Sequence, residues 1–371
     1  MDIDTFTHNV DNYLHLLSLY LNKKEATDFK IDEEQLSFFL KLSKLHSLSA
    51  LLYKALKDTK VDIPQEQLNK LEEYYLANLR KDVLFEKERN DLYSFLNDHQ
   101  IDFLPLKGLV IKDYYFDPYT REYADNDILF SSKDKLIKEY FVKHGYKVEA
   151  YNKSNHDVYQ KKPFFNFEMH RALFSLNEDY PKLVDYFISY LSNAPVKEGY
   201  EHYLSKENFY IYFTAHTYKH YQGSGCGLRT LVDYYLYLKN NDLDFGYINK
   251  ELEKIDLLDF SQMISSLSIK VFDEIELTNQ EKETLLFITS SGTYGTLQHS
   301  VSKGIKQKGK FGYFMSRVFP PYSFYKTAYP WAYKTVILIP IAWLCRCLRI
   351  LFKNPKKAKK EIELINKSKN E

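Results

Sequence analysis

The sequence predicts an α+β fold: a small mixed sheet set between an N-terminal and a C-terminal helical region. Three observations predict it. Apolar residues recur at three- and four-residue spacing over long windows on both sides of a central segment. Within that segment, roughly residues 100–175, short β-rich runs alternate with single helical stretches. Only 12 Gly and 11 Pro punctuate 371 residues, which favours long helices over a sandwich of many short strands. A chain of this length exceeds one compact core. The expected divisions are a helical region over 1–98, a core over 99–180, a second helical region over 181–290, and an apolar helix with a basic tail over 291–371.

Each element has a local reason. "EEQLSFFLKLSKLHSLSALLYKALKD" and "EQLNKLEEYYLANLRKDVLFEKERNDLYSFLNDH" carry helical periodicity, and Pro64 between them marks a connection, with Gln65 and Glu66 suited to a first helical turn. "IDFLPLKG" is a short apolar run ending at a glycine, a strand entering a tight turn. "LVIKDYYF" resumes helical spacing and "DPYT" breaks it. "YADNDILF" has strand character. "SKDKLIKEYFVKHG" reads as a helix capped by Ser132 and ended at Gly145, and "YKVEAYN" as another strand. "DVYQKKPFFNFEMH" closes the segment as a hairpin. Beyond it, "KENFYIYFTAHTYKHYQ" and "LRTLVDYYLYLKNN" are helices flanking "GSGCG".

Composition excludes several functions. A formal charge of +1 leaves no global basic field to draw the chain onto nucleic acid. Cys226, Cys345 and Cys347 form no disulfide framework and no C-x-x-C zinc signature. The opening "MDIDTFTHNVDNYLHLL" lacks the basic and apolar regions of a signal peptide, so a cytoplasmic setting is expected.

The chemistry gathers in the central segment. On a strand, Asp125 and Asp127 of "ADNDILF" project to one face. Two close carboxylates repel unless a cation sits between them, and Mg²⁺ is the natural partner of such oxygens. A D-x-D pair alone is equally a solvated strand edge. Its neighbours change that: "PLKGL" ends a strand and opens a helix, a place for phosphate, with Lys107 adding a mobile charge. In "FFNFEMHR", Phe165, Phe167 and Met169 alternate with Asn166, Glu168 and His170, so Glu168 is a third acid that a neighbouring strand can bring to the pair. Together these parts match two-metal phosphoryl transfer.

The residues "LKG…R…ADNDILF…GY…FEMHRAL" resemble the bacterial uncharacterised nucleotidyltransferase family, within the DNA polymerase β-like nucleotidyltransferase superfamily, over roughly residues 35–290 and most strongly 104–171. The resemblance implies a nucleotidyltransferase-type core and Mg²⁺-dependent transfer of a nucleoside monophosphate from an NTP, ATP first, to an unknown hydroxyl or similar acceptor. It implies that Asp125, Asp127 and Glu168 are the metal-binding catalytic acids, with two ions. Lys107 and Gly108 would bind phosphates, and Arg121 would help near the nucleotide. Lys-Gly replaces the Gly-Ser of the wider superfamily and removes a phosphate-contacting hydroxyl. The alternative is a nucleotide-binding regulatory or membrane-surface module of the same fold without turnover.

Other candidates carry two readings. His216 and His220, four apart on a helix, have zinc-ligand spacing but lack a third ligand, and a place in the cleft is the better functional reading. Arg229 and Asp233 are a helix pair or cleft residues. His170 orients a carboxylate, relays a proton or is structural. "GSGCG" reads as a helix connection. "VILIPIAWLCRCLRILF" holds Pro340, Arg346 and Arg349, which disfavours a membrane span. A surface helix over 336–360, helped by Lys353, Lys356, Lys357, Lys359 and Lys360, or a buried helix with a disordered basic tail, both remain.

Overall fold

Helices α1 (Ile3–Leu21), α2 (Glu33–His46), α3 (Ser49–Asp58) and α4 (Gln65–Asp98) open the computed structural model, which describes residues 2–26, 29–175, 180–223, 225–292, 297–353 and 355–367. Their starts are legible locally. Asp2 accepts from the Thr5 amide, Asp32 and Gln35 form a capping box, and Pro64 stands at the N-cap of α4.

The central segment then supplies β1 (Phe103–Pro105), a short α5 (Gly108–Ile111), β2 (Asn126–Phe130), α6 (Asp134–Lys143), β3 (Lys147–Ala150), β4 (His156–Lys161) and β5 (Phe165–His170). After α7 (Pro181–Phe187) and α8 (Tyr190–Asn193), β6 (Val196–Glu198) and β7 (Glu201–His202) return to the sheet. The seven strands run in the order β3-β4-β5-β2-β1-β7-β6. β4 and β5 form the expected antiparallel hairpin, whereas β2 and β5 are parallel. Helix α6 departs from expectation at its start. Ser132 does not cap it; Lys133, in the left-handed region at φ 66°, is the N-cap and makes no side-chain cap bond. The reason lies one residue back, where the Ser131 amide still bonds the Asp102 carbonyl and prolongs the sheet edge past β2.

Period-2 alternation sorts the sheet's two faces. Phe103, Ile128, Phe130, Phe165, Phe167 and Met169 pack on Phe85, Leu92 and Leu96 of α4 and on Ile137 and Phe141 of α6. Leu104, Leu106 and Leu129 point the other way, into the large core shared with α1–α3 and with α9 (Lys206–Gly223), α10 (Leu228–Asn240), α11 (Phe245–Lys254), α12 (Leu258–Phe272) and α13 (Asn279–Ser291). This second face also carries the site. The "GSGCG" stretch connects α9 to α10 as expected; Ser224 within it lies outside the described residues.

The chain continues through α14 (Leu297–Val318), α15 (Tyr322–Ala328), α16 (Pro330–Tyr333), α17 (Ile339–Lys353) and α18 (Pro355–Lys367). In place of a disordered basic tail, α18 packs on α14: Glu361 accepts from Tyr313 and receives a two-point contact from Arg317. Among the described residues no helix is long and apolar enough to cross a membrane. Arg346 is taken up by the end of α14, donating to the Arg317 and Val318 carbonyls that a helix C-terminus leaves unpaired. The side chains of Lys353, Lys356 and Lys357 lie outside the described residues, while Lys359 and Lys360 are exposed.

Candidate active site

A cleft of about 370 Å³ opens between the second face of the sheet and helices α9 and α10. It is lined by every residue the sequence nominates: Lys107, Gly108, Arg121, Asp125, Asp127, Glu168, His170, His216, His220, Arg229 and Asp233. The D-x-D strand comes first. Asp125 precedes β2 and Asp127 is its second residue, while Asn126 between them faces the opposite side and accepts from Arg89 of α4 at 2.9 Å. That buried arginine also reaches the Tyr123 hydroxyl at 3.0 Å, so the strand bearing the acids is anchored from behind.

The parallel register pairs Asp127 with Glu168, which brings the third acid beside the first two. Asp127 is 3 % exposed, and its Oδ1 accepts from Lys107 Nζ at 2.6 Å and from His170 Nε2 at 2.7 Å. Burial by itself would raise its pKa, but the Lys107 charge and the His170 hydrogen bond outweigh this and hold it well below the usual carboxylate range. Its neighbours are not so compensated. Burial first, then the Asp127 charge, raises Asp125; burial first, then Asp127 and Asp125, pushes Glu168 up to about 7. His170 is lowered by burial, and its buried Nδ1 has no hydrogen-bond partner among the described residues.

The Lys-Gly turn has a backbone reason. Lys107 sits at φ 50°, ψ −115°, and the Leu109 amide closes on the Leu106 carbonyl at 3.2 Å. This is the first central position of a type II′ turn, where glycine is preferred; a lysine there carries strain of about 1–3 kcal/mol. Gly108 is small because Arg121 lies over it: a Cβ would stand 2.5 Å from the guanidinium Nη1. Three backbone amides that follow Gly108 are spent within the turn itself. The amides of Leu109, Val110 and Ile111 bond the Leu106 or Lys107 carbonyls.

The helical wall sorts the remaining residues. Arg229 and Asp233 are not partners. Asp233 receives Arg121 Nε at 2.8 Å, Arg121 Nη2 at 2.7 Å and the Tyr115 hydroxyl at 2.7 Å. Arg229 Nη1 donates to the Glu122 carbonyl instead. A planar guanidinium matches a carboxylate at two points, which makes the long-range pair better than the helix-neighbour pair. His216 and His220 sit with their Nε2 atoms 3.2 Å apart, one donating to the other. Burial, then Lys107, lowers both, His220 to about 4.

Sequence reasoning missed His156. The β4–β5 register sets it opposite His170, and its Nε2 lies 3.7 Å from Glu168 Oε2. Burial, then His170, lowers it to about 4. Period-2 counting back from His170 through the hairpin would have found it. Lys219, one helical turn from His216, also lines the cleft. A second hollow of about 620 Å³, lined by Tyr74, Arg80, Lys81 and Phe164, shares Tyr123 and Arg229 with the first.

This donor set fits a divalent cation. Three carboxylates face one cleft, two of them raised by burial and by the neighbouring acids, and oxygen donors are what Mg²⁺ selects. The His156–Glu168–His170 group, with its ligand atoms within 4.8 Å of one another, also has metal-binding spacing.

No curated protein and no solved structure matches the chain significantly. The family described as "Uncharacterised nucleotidyltransferase" matches residues 32–273, a span that holds all of the cleft residues, and the chain belongs to that family.

Proposed function

We propose that the protein transfers a nucleoside monophosphate from an NTP, ATP being the first candidate, to a hydroxyl or similar acceptor in a Mg²⁺-dependent reaction. The bond formed joins the acceptor oxygen to the α-phosphorus, the α,β-bridging P–O bond breaks, and pyrophosphate leaves. The observation that carries this reading is the convergence of Asp125, Asp127 and Glu168 with Lys107 at one cleft of a nucleotidyltransferase-family chain. The three acids would hold the cation, which supplies neutralisation of the triphosphate and acidification of the acceptor hydroxyl. Lys107, now on Asp127, exchanges that partner for a phosphate oxygen when the nucleotide enters. His170 fixes the Asp127 carboxylate through Oδ1. Arg121 is a positioning residue, since its Nε and Nη2 serve Asp233 and its Nη1 covers Gly108. The adjoining hollow, with Arg80, Lys81 and three aromatic rings, offers space for the base or the acceptor.

Calorimetric titration of each NTP with Mg²⁺, on wild type and on Asp125→Asn/Asp127→Asn, tests this. Metal-dependent binding lost in the variant is expected, followed by pyrophosphate release once an acceptor is supplied. Equal binding by both proteins would place the nucleotide elsewhere and end the carboxylate assignment.

A peripheral membrane contact over 336–360 is a second proposal. Ile337, Ile341, Leu344 and Leu348 are all at least half exposed and recur at four-, three- and four-residue spacing along one side of α17 and its approach. Apolar exposure of this periodicity, with Arg349, Lys359 and Lys360 nearby, suits an anionic interface. Flotation with anionic liposomes is expected for the full chain and not for the Ile341→Glu/Leu344→Glu variant; flotation of both would overturn it.

A further inference from the structure

We infer that the corner of the cleft built by His156, Glu168 and His170 binds a late first-row divalent transition cation, such as Zn²⁺ or Co²⁺, in preference to Mg²⁺. The inference deepens the proposed reaction by naming the chemistry of one of its cation positions, and it rests on that reading only for the role the ion plays.

The corner is built by strand register. His156 and His170 are direct partners across β4 and β5, and Glu168 lies two residues from His170 on the same face. Both strands are held by six consecutive paired positions, so the three side chains belong to a rigid element and not to a loop. Glu168 Oε2 stands 3.7 Å from His156 Nε2 and 3.9 Å from His170 Nε2. Asp127 Oδ1 adds a fourth donor, 2.7 Å from His170 Nε2. Around an ion with bonds of about 2.0–2.1 Å, tetrahedral donors stand roughly 3.4 Å apart. The three spacings of 2.7, 3.7 and 3.9 Å bracket that value.

Two imidazoles with carboxylate oxygens are a mixed nitrogen and oxygen set. Mg²⁺ selects oxygen and water, whereas imidazole favours zinc and its neighbours in the series. A further observation separates these histidines from structural ones. Buried His46 uses both ring nitrogens, with Nε2 donating to the Thr289 carbonyl at 2.9 Å and Nδ1 accepting from the Leu228 amide at 3.0 Å. His170, also buried, spends Nε2 on the Asp127 carboxylate of the same donor set and on no backbone group, and among the described residues its Nδ1 has no hydrogen-bond partner.

Visible absorption of the Co²⁺-loaded protein tests the inference without any turnover. The expected result is a ligand-field spectrum that Zn²⁺ abolishes at equimolar competition and Mg²⁺ fails to abolish at hundredfold excess. His156→Ala should weaken Co²⁺ binding at least tenfold, and His156→Cys should restore it with a thiolate charge-transfer band, which shows that the site and not the fold was lost. Displacement by equimolar Mg²⁺, or unchanged binding by His156→Ala, overturns the inference. Nucleotide titrations on the same samples separate the two readings. Mg²⁺-dependent nucleotide binding without a Co²⁺ spectrum defeats this inference alone, and a Co²⁺ spectrum without nucleotide binding defeats the transferase reading alone.

Discussion

The two ends of the cleft hold buried charges of opposite character. At one end Arg121 and Asp233 are matched: two parallel hydrogen bonds join them and the Tyr115 hydroxyl takes up Asp233 Oδ1. At the other, Lys107 and His170 both serve Asp127, while Asp125 and Glu168 crowd it without equal compensation. A finished pair is architecture, because breaking it leaves an unpaired buried charge. An unfinished cluster costs stability in the absence of a ligand, and such unresolved charge concentrates where a cation or substrate completes the set. The difference teaches which charged residues of the cleft hold the protein together and which are available for chemistry.

The largest effect expected from breaking this contrast is at the finished end. Asp233→Ala should cost about 3–5 kcal/mol in urea denaturation, and an Arg121→Met/Asp233→Leu double variant should recover most of it. A loss under about 1 kcal/mol for the single variant would show that the pair is not structural.

A second test uses the fully paired His46, whose pKa burial lowers to about 4, with Arg229 adding to the effect and the Thr289 carbonyl opposing it. Its folded pKa lies below its unfolded value, so the unfolded chain binds more protons between those values. Stability contributed by neutral His46 is complete above about pH 6.5 and is lost as pH falls toward 4, on the order of 3 kcal/mol in all. Comparison of urea midpoints for wild type and His46→Gln across pH 4–7 should show a smaller slope in the variant, and parallel curves would refute the assignment.

The smallest effect has the opposite sign. Asp125→Asn removes one of three mutually repelling acids, so it should raise stability by up to about 1 kcal/mol while nucleotide binding falls. Thermal melts of the two proteins without added metal check the sign. A destabilised, well-folded variant would mean that Asp125 carries a structural partner.

Much of the candidate site was legible because it is written in short periods. Alternation in "FFNFEMH" separates Phe165, Phe167 and Met169 from Glu168 and His170, and the same alternation projects Asp127 to the cleft face with its neighbour Asn126 turned to α4. The turn at Lys107–Gly108 was equally visible. Less visible was how its amides would be spent, since Leu109, Val110 and Ile111 close on the turn itself. The Ser132 cap failed for a similar reason: a hydrogen bond to Asp102, distant along the chain, carries the sheet past the position where the helix was expected to begin.

By itself the sequence determined the element types of the central segment, the alternation of its strands and the grouping of the acids with a lysine turn, because these depend on residues within a few positions of one another; β6 and β7, inside the region expected to be helical, were not among them. It also placed the chain within reach of its family. Only the tertiary structure decided that Asp233 pairs with Arg121 and not Arg229, and that Arg346 closes the end of α14. Each of these choices is a competition for one charge or carbonyl among donors far apart in sequence. Which donor wins is set by the register of strands and the packing of helices, and no local pattern encodes that outcome.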